Sequence, residues 1–373
     1  MKTENHIHNK DRLSDLPDSL ILHILSFLNI KQAIHTCVLS SRWKNLWKYV
    51  PTLTLIGSQF ATVEIFTEFV SRILSLRDNS TELHTLELRR HKVMEPFLLE
   101  TILKYAVSHN VQRLDIGVTC EIQHFPTCLL SCRTLTYLDL YVSHPTVYGT
   151  TILFPSSLDM PVLTSLGLWH FAFSVGNDGR ADPFSALTSL KSLNIVYCEV
   201  VNEQKLCISS TKLVNLYIYM VHYAPKTYFG IELSAPNLCT FVFSGIPVQK
   251  LCWSKRDLSS IKRVSIDIIE FWKSQETSLV LLDWLFELVN MESLIVSSTT
   301  LQVLSLVPNL LFELPSLCNL KSLRVEKKQI SSIPDEIVDI LIQNSPSPKP
   351  GVLLVRNKAV YEEIEGPLMD LQL

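Results

Sequence analysis

The chain has 373 residues, of which 47% are hydrophobic and 18% are charged, and its formal net charge is −3 at pH 7. This much apolar material predicts a large packed core and excludes general disorder, and the length suits two domains or one long solenoid. The nearly balanced charge provides no global basic field, so we expect neither nucleic acid nor a membrane as a partner.

Three features of the sequence bear on the compartment: the N-terminus, the most apolar stretch and the cysteines. The first 15 residues are polar and contain no apolar signal region. Residues 278–290 are the most apolar later stretch, but they contain Asp283 and Glu287 and fall short of the roughly 20 residues that a bilayer needs. The nine cysteines form no C-x-x-C pair. They are typical of reduced, buried thiols, so we expect the cytoplasm or the nucleus.

Residues 11–50 have the pattern of three short helices. After Pro17, the apolar residues recur at helical spacing from Leu20 to Leu28, which predicts one amphipathic helix. Second and third helices are predicted over Lys31–Leu39 and Ser41–Tyr49. Because about 40 residues rarely bury such a surface alone, this segment needs either a partner or the rest of the chain as its cover.

Three motifs follow one another in this segment: L-P-D-x-L from Leu16, I-L-S-F-L from Ile24 and V-L-S-S-R-W-K-N-L-W from Val38. Together they closely resemble the plant F-box. The resemblance implies that the segment binds a Skp-type adaptor and, through it, a cullin. The matching adaptor-binding positions are Leu16, Pro17, Ile21, Ile24, Leu25, Leu28, Val38, Leu39, Arg42, Trp43 and Trp47. The alternative is that these apolar residues are only the core of a helical cap on the domain that follows.

The rest of the chain repeats the pattern L-x-x-L-x-L, with aliphatic or aromatic substitutions. Copies start at Leu83, Val111, Leu135, Leu163, Leu190, Leu213, Leu238, Ile261, Met291 and Leu320. Their spacing of 23 to 30 residues is close to the period of leucine-rich repeats, in which each unit adds one strand to a parallel sheet. Helices are also predicted over Phe271–Val289 and Ile333–Ile342.

The sequence therefore predicts an α/β protein, in which a three-helix F-box precedes an irregular leucine-rich-repeat solenoid. We expect a horseshoe with the parallel sheet on its concave face. The predicted boundaries are a flexible N-terminus at 1–10, the F-box at 11–52, the repeats at 53–345 and a C-terminal tail at 346–373.

A substrate surface is predicted on the third, fifth and seventh positions of each repeat, which alternate with the core leucines. The middle repeats place aromatic and acidic residues there: Tyr137, Asp139, Tyr141, Trp169, Tyr217 and Tyr219. Tyrosine and tryptophan are enriched at binding hot spots, although they also favour strands in general. The basic residues Arg89, Arg113, Arg263 and Arg324 look scattered, which argues against a polyphosphate or hormone site.

Enzyme motifs are missing from the sequence. It contains no G-x-G-x-x-G, P-loop, H-E-x-x-H or G-x-S-x-G, and its 11 histidines show no metal spacing. We expect no catalytic residue, metal or cofactor. The resemblance implies a non-catalytic receptor subunit of a Skp–cullin–F-box ubiquitin ligase, whose repeats hold a protein substrate. A repeat scaffold outside any ligase, and a degenerate receptor without a substrate, remain alternatives.

Overall fold

The structure is a computed structural model, and it falls into two compact units, residues 1–150 and residues 151–373. It describes residues 13–356, apart from 14, 123, 146–150, 156–157, 177–178, 202–204, 221–228, 248–250, 254–259, 269–273, 312, 314–315, 329–332 and 346–350. The predicted flexible N-terminus and the last part of the predicted tail lie outside the described residues.

Three predicted N-terminal helices are present, with one difference in type. The helices are α1 (Asp18–Leu25) and α2 (Ile30–His35), which continues as a 3-10 turn at Thr36–Val38. The third segment, Trp43–Tyr49, is a 3-10 helix and starts later than predicted. It ends where Val50, which precedes Pro51, turns extended, as residues before proline usually do.

A capping box fixes the start of α2. The side chain of Asn29 accepts a hydrogen bond from the backbone N–H of Gln32 at 3.0 Å, and Gln32 Oε1 accepts one from the backbone N–H of Asn29 at 3.2 Å. Each residue thus satisfies a backbone donor that the helix leaves unpaired. This cap sets the direction in which the chain enters the second helix.

The first unit also contains a four-stranded parallel sheet with helical returns. Its strands follow chain order and are β1 (Thr52–Ile56), β2 (Thr85–Met94), β3 (Arg113–Cys120) and β4 (Tyr137–Ser143). Helices α3 (Val63–Leu76) and α4 (Pro96–Ser108) connect the first three strands. The sequence analysis missed β1, although Val50, Leu53 and Leu55 have the repeat pattern and are buried.

Arg77 ties the N-terminal helices to this sheet unit. Its side chain is buried, and Nη2 donates a hydrogen bond to the carbonyl of Val50 at 2.6 Å. Its Nε donates to the hydroxyl of Tyr105 on α4 at 3.1 Å. Beside it, the backbone N–H of Asp78 donates to the carbonyl of Lys48. The helical segment and the first repeats are therefore packed as one body.

The second unit is built on eight parallel strands in chain order. These are β6 (Ser165–Trp169), β9 (Ser192–Val196), β12 (Asn215–Tyr219), β14 (Thr240–Gly245), β16 (Arg263–Ile268), β17 (Ser293–Ser297), β18 (Ser322–Lys327) and β19 (Gly351–Arg356). Strand β19 pairs with β18, so the prediction of a loose tail is wrong for residues 351–356. The segment lacks the leucine at the start of the pattern, which is why the repeat search missed it.

The return segments of the second unit form two smaller parallel sheets and four helices. One sheet contains β5 (Ile152–Phe154), β7 (Phe171–Phe173) and β10 (Glu199–Val200), and the other contains β8 (Arg180–Ala181), β11 (Lys205–Ser209), β13 (Gly230–Ser234) and β15 (Cys252–Trp253). The helices are α5 (Gln275–Glu287), α6 (Ser298–Leu304), α7 (Pro308–Leu311) and α8 (Asp335–Gln343). Helix α8 confirms the predicted closing helix, because Ile337, Ile340 and Leu341 are buried.

The repeat pattern is confirmed at all ten predicted starts. Each starting residue is buried, and each lies just before a strand. Strand β4 shows the alternation directly, since Leu138 and Leu140 are buried while Tyr137, Asp139 and Tyr141 are half-buried. The leucines therefore form the core, and the residues between them line the open side of each sheet.

Candidate interaction surfaces

Four of the predicted adaptor-binding residues form the core of the N-terminal helices. Ile21 and Leu25 are spaced one turn apart on α1 and are fully buried, and Trp43 and Trp47 on the 3-10 helix are nearly so. Their side chains cannot face a partner in this arrangement. They act on any partner indirectly, because they hold α1 against the 3-10 helix.

Five large exposed side chains lie on α1 and in the turns that follow α1 and α2, and we call them the exposed apolar set: Leu20, Ile24, Phe27, Val38 and Leu39. Val38 is 88% exposed and Phe27 is 76% exposed, values that are unusual for such residues. Leu20, Ile24 and Phe27 follow helical spacing along one side of α1 and its continuation. Val38 and Leu39 lie at the end of the 3-10 turn after α2.

A salt bridge connects the two parts of this set. Arg42 Nη2 lies 2.6 Å from Asp18 Oδ1, and Arg42 Nε donates to the same oxygen at 3.1 Å. The bridge joins the first turn of α1 to the residues that follow Leu39. Both partners are solvent-exposed, so its contribution to stability is small, but it orients the loop that carries Val38 and Leu39.

The predicted adaptor-binding residues differ in solvent exposure, and further exposed residues lie beside them. Pro17, Ile24, Val38, Leu39 and Arg42 are exposed, whereas Leu16 and Leu28 are half-buried. Sequence reasoning missed Leu13, Leu20 and Phe27, which are also exposed. The signal for two of them was present, since Leu20 and Phe27 stand inside the motifs and off the buried stripe of Ile21 and Leu25.

On the sheet of the first unit, the predicted substrate residues Tyr137, Asp139 and Tyr141 lie along β4. The hydroxyl of Tyr137 donates to Asp139 Oδ2 at 3.4 Å, and the guanidinium of Arg113 lies over the Tyr137 ring at 4.1 Å. Burial, with the nearby Asp139 and Asp115 carboxylates, raises the pKa of Tyr137 to about 12. Tyr137 is therefore a neutral hydrogen-bond donor at physiological pH.

The charges beside Tyr137 are largely matched to one another. Asp115 and Asp139 share a row across β3 and β4 with Glu87 on β2. Arg89 pairs with Asp115 through Nη2 and with Glu87 at 3.4 Å. Gly117 makes room for this pairing, because a Cβ there would lie 2.8 Å from Arg89 Nη1.

In the second unit, the aromatic residues of the predicted substrate surface differ in solvent exposure. Tyr217 and Tyr219 are half-buried on β12, as expected for open positions of the strand. Trp169 is only 8% exposed and lies edge-on to Tyr197, with ring centroids 6.5 Å apart. Trp169 is therefore mostly buried, whereas the sequence placed it on the open side of its strand, and its predicted role in substrate binding stays a prediction.

The described residues offer neither a metal-binding cluster nor a membrane-spanning helix. Within the described part of the chain, no group of three or more His, Cys, Asp or Glu side chains could hold a metal ion. A membrane-spanning helix is likewise absent from the described residues, where no helix combines sufficient length with sufficient apolarity.

Comparison with known proteins explains the N-terminal helices. The family model described as "F-box domain" matches residues 13–54. An F-box/LRR-repeat protein of Arabidopsis thaliana is 26% identical over 360 residues, which cover 91% of this chain and 90% of that protein. These matches support a plant F-box/leucine-rich-repeat family for this chain. Its N-terminal helices are the F-box, and its parallel sheets are the repeats.

Other relatives agree with this assignment. An F-box/FBD/LRR-repeat protein of the same plant is 26% identical over 95% of this chain and 79% of its own length. An FBD-associated F-box protein of that plant is 25% identical over 95% of this chain and 74% of its own length. Among solved structures, "Crystal structure of TLR13-ssRNA13 complex" covers 74% of this chain and 42% of that chain, with 14% identity and a TM-score of 0.33. That likeness is too weak to carry an argument.

Proposed function

We propose that this F-box protein is a non-catalytic substrate receptor of a Skp–cullin–F-box ubiquitin ligase. In this proposal the F-box binds a Skp-type adaptor, the adaptor links it to a cullin, and the repeats hold a protein substrate. Such a ligase works in the cytoplasm or the nucleus, and the receptor supplies no catalytic residue, metal or cofactor.

The observation that carries the proposal is the exposed apolar set of the F-box. Leu20, Ile24, Phe27, Val38 and Leu39 leave large apolar area in water within a segment of 20 residues. Burying one such side chain fully contributes about 1.5–3 kcal/mol. A partner that covers several of them gains enough to offset the cost of association, so this surface favours a protein partner.

The packing of the first unit also supports the proposed receptor role. Arg77 holds the end of the F-box against α4, and Lys31 on α2 donates to the carbonyl of Gln59 at 3.3 Å, beside β1. A substrate bound to these repeats would therefore keep a fixed position relative to the F-box. A fixed position turns the transfer of ubiquitin into a nearly unimolecular step, which is the contribution that a receptor makes.

A pull-down with a purified Skp-type adaptor tests the proposal. The test variant is Phe27→Ser, Val38→Ser, Leu39→Ser, which changes exposed residues only. The matched control is Val93→Ser, Phe97→Ser, whose residues are also exposed but lie outside the F-box. We expect capture by the wild type and the control, and loss in the test variant.

The folding of each variant is checked by its thermal unfolding midpoint, which we expect to match that of the wild type. If a folded wild type captures no adaptor, the receptor proposal fails and a repeat scaffold outside the ligase replaces it. If the test variant captures as well as the wild type, the exposed apolar set is not the adaptor surface.

A further inference from the structure

One face of the second unit carries positive charge among hydroxyl groups. Arg263 on β16 pairs in register with Ser293 on β17, which pairs with Ser322 on β18. Arg324 lies two residues after Ser322 and so points to the same side of the sheet. We call these four residues the basic face. The sequence suggested that Arg263 and Arg324 were scattered, but the sheet register brings them together.

Arg263 is the arginine of the basic face that has no ion-pair partner among the described residues. Its side chain is exposed, and its Nε donates to Thr240 Oγ1 at 3.1 Å. Across the ranges that the structure describes, no carboxylate forms an ion pair with it. Arg89 of the first unit differs, because Glu87 and Asp115 both pair with it. A guanidinium with unused donors beside neutral hydroxyls favours an incoming anion.

The cations around Arg263 outnumber the carboxylates. Lys262 and Lys321 share Glu292, at 3.4 and 2.6 Å, and Arg324 pairs with Glu326 at 3.2 Å. Lys328 pairs with Asp267 at 2.6 Å. With Arg263 and the exposed Lys327, the described residues on and directly beside β16, β17 and β18 include six cations and three carboxylates. The lysines that share Glu292 are well exposed, so these pairs are weak and leave a positive field over the face.

The hydroxyls extend the face across three strands. Ser322 donates to Ser293 at 2.9 Å between their Oγ atoms, which leaves the hydroxyl proton of Ser293 available to an acceptor. Two strand spacings of about 4.8 Å separate Arg263 from Ser322, a length that matches roughly three residues of extended peptide. The geometry therefore suits a peptide segment with more than one acidic group.

We propose that the basic face binds an acidic peptide segment of the protein substrate, with a carboxylate of that segment paired to Arg263. This inference rests on the proposed receptor function and names the chemistry of what the receptor holds. It predicts that substrate capture weakens as salt rises, because both partners are exposed to solvent.

Fluorescence anisotropy with two labelled peptides tests the inference on the full-length chain. One peptide alternates Glu with Gly, and the other has Gln in place of every Glu. We expect the wild type to bind the Glu peptide and to bind the Gln peptide at least fivefold more weakly. The variant Arg263→Gln, Arg324→Gln should lose at least fivefold affinity for the Glu peptide.

The control variant is Lys212→Gln, which removes one exposed charge from the same unit, on the turn before β12. It should bind the Glu peptide like the wild type. Equal binding of the two peptides, or an undiminished affinity in the arginine variant, would overturn the inference. Capture of the Skp-type adaptor by the arginine variant is measured in parallel, so that a failure here is distinct from a failure of the receptor proposal.

Discussion

The F-box and the repeats use the same apolar residue types in opposite ways. In the repeats, the starting residue and the leucines of each strand are buried by the next repeat, as at Leu114 and Leu193. In the F-box, Phe27, Val38 and Leu39 are left in water. The repeats complete their own core by stacking, whereas in the described residues these three F-box side chains stay exposed to solvent. This difference supports the proposal that another protein completes the F-box surface.

The largest expected effect is a difference in the free energy of unfolding between a buried leucine of the repeats and an exposed phenylalanine of the F-box. Leu114→Ala removes a fully buried side chain from the middle of the first sheet, and we expect the free energy of unfolding to fall by about 2–5 kcal/mol. Phe27→Ala removes a larger but exposed side chain, and we expect a change within about 0.5 kcal/mol. Urea unfolding of both variants measures this. Similar losses would show that Phe27 is part of the core.

A second pair of variants compares a buried with a half-buried arginine, by adding a methyl group at the glycine that each one contacts. A Cβ at Gly57 would lie 2.7 Å from Cγ of Arg90, which is buried against the Phe66 ring, whereas a Cβ at Gly117 would meet the end of the half-buried Arg89. Arg89 can swing aside and Arg90 cannot. We expect Gly57→Ala to lower the free energy of unfolding by about 1–3 kcal/mol, and Gly117→Ala by less than about 1 kcal/mol. The reverse order in thermal unfolding would contradict this packing.

The smallest expected effect is a pH dependence at His170. Burial lowers the pKa of this imidazole, so its neutral form contributes stability that is complete above the unfolded value of 6.5 and is lost as the pH falls towards the lower folded value. His170→Asn removes the titration and tolerates the positive φ of 62° at this position. Between pH 7.5 and 5.5, the wild type should lose more stability than the variant. Parallel losses would mean that His170 does not titrate in this range.

Periodicity predicted the strands well because the repeat code is local. A leucine at a repeat start is buried by its nearest neighbours, so ten starts found by spacing became ten strands. Strand β1 was not predicted from the sequence, because its pattern begins at Val50, inside the segment assigned to the F-box. Strand β19 was not predicted because Lys349, and not a leucine, stands at the position that starts the pattern.

Exposure was the part of the candidate site that spacing alone could not predict. Ile21 and Ile24 lie on the same helix and belong to the same motif, yet Ile21 is buried and Ile24 is exposed. The 3-10 helix covers one side of α1, and only the folded arrangement shows which side. The low exposure of Trp169 was not predicted for a similar reason, since its edge-on contact with Tyr197 of the next repeat appears only in the folded chain.

The central claim, that a protein partner completes the F-box, is tested most directly by isothermal titration calorimetry. The purified chain is titrated with a Skp-type adaptor at several temperatures. We predict tight binding with a negative heat-capacity change, because apolar surface is buried, and at least tenfold weaker binding for the folded Phe27→Ser, Val38→Ser, Leu39→Ser variant. A folded wild type that releases no heat of binding at any temperature and captures no adaptor, or a variant that binds with unchanged affinity and heat-capacity change, would contradict the claim.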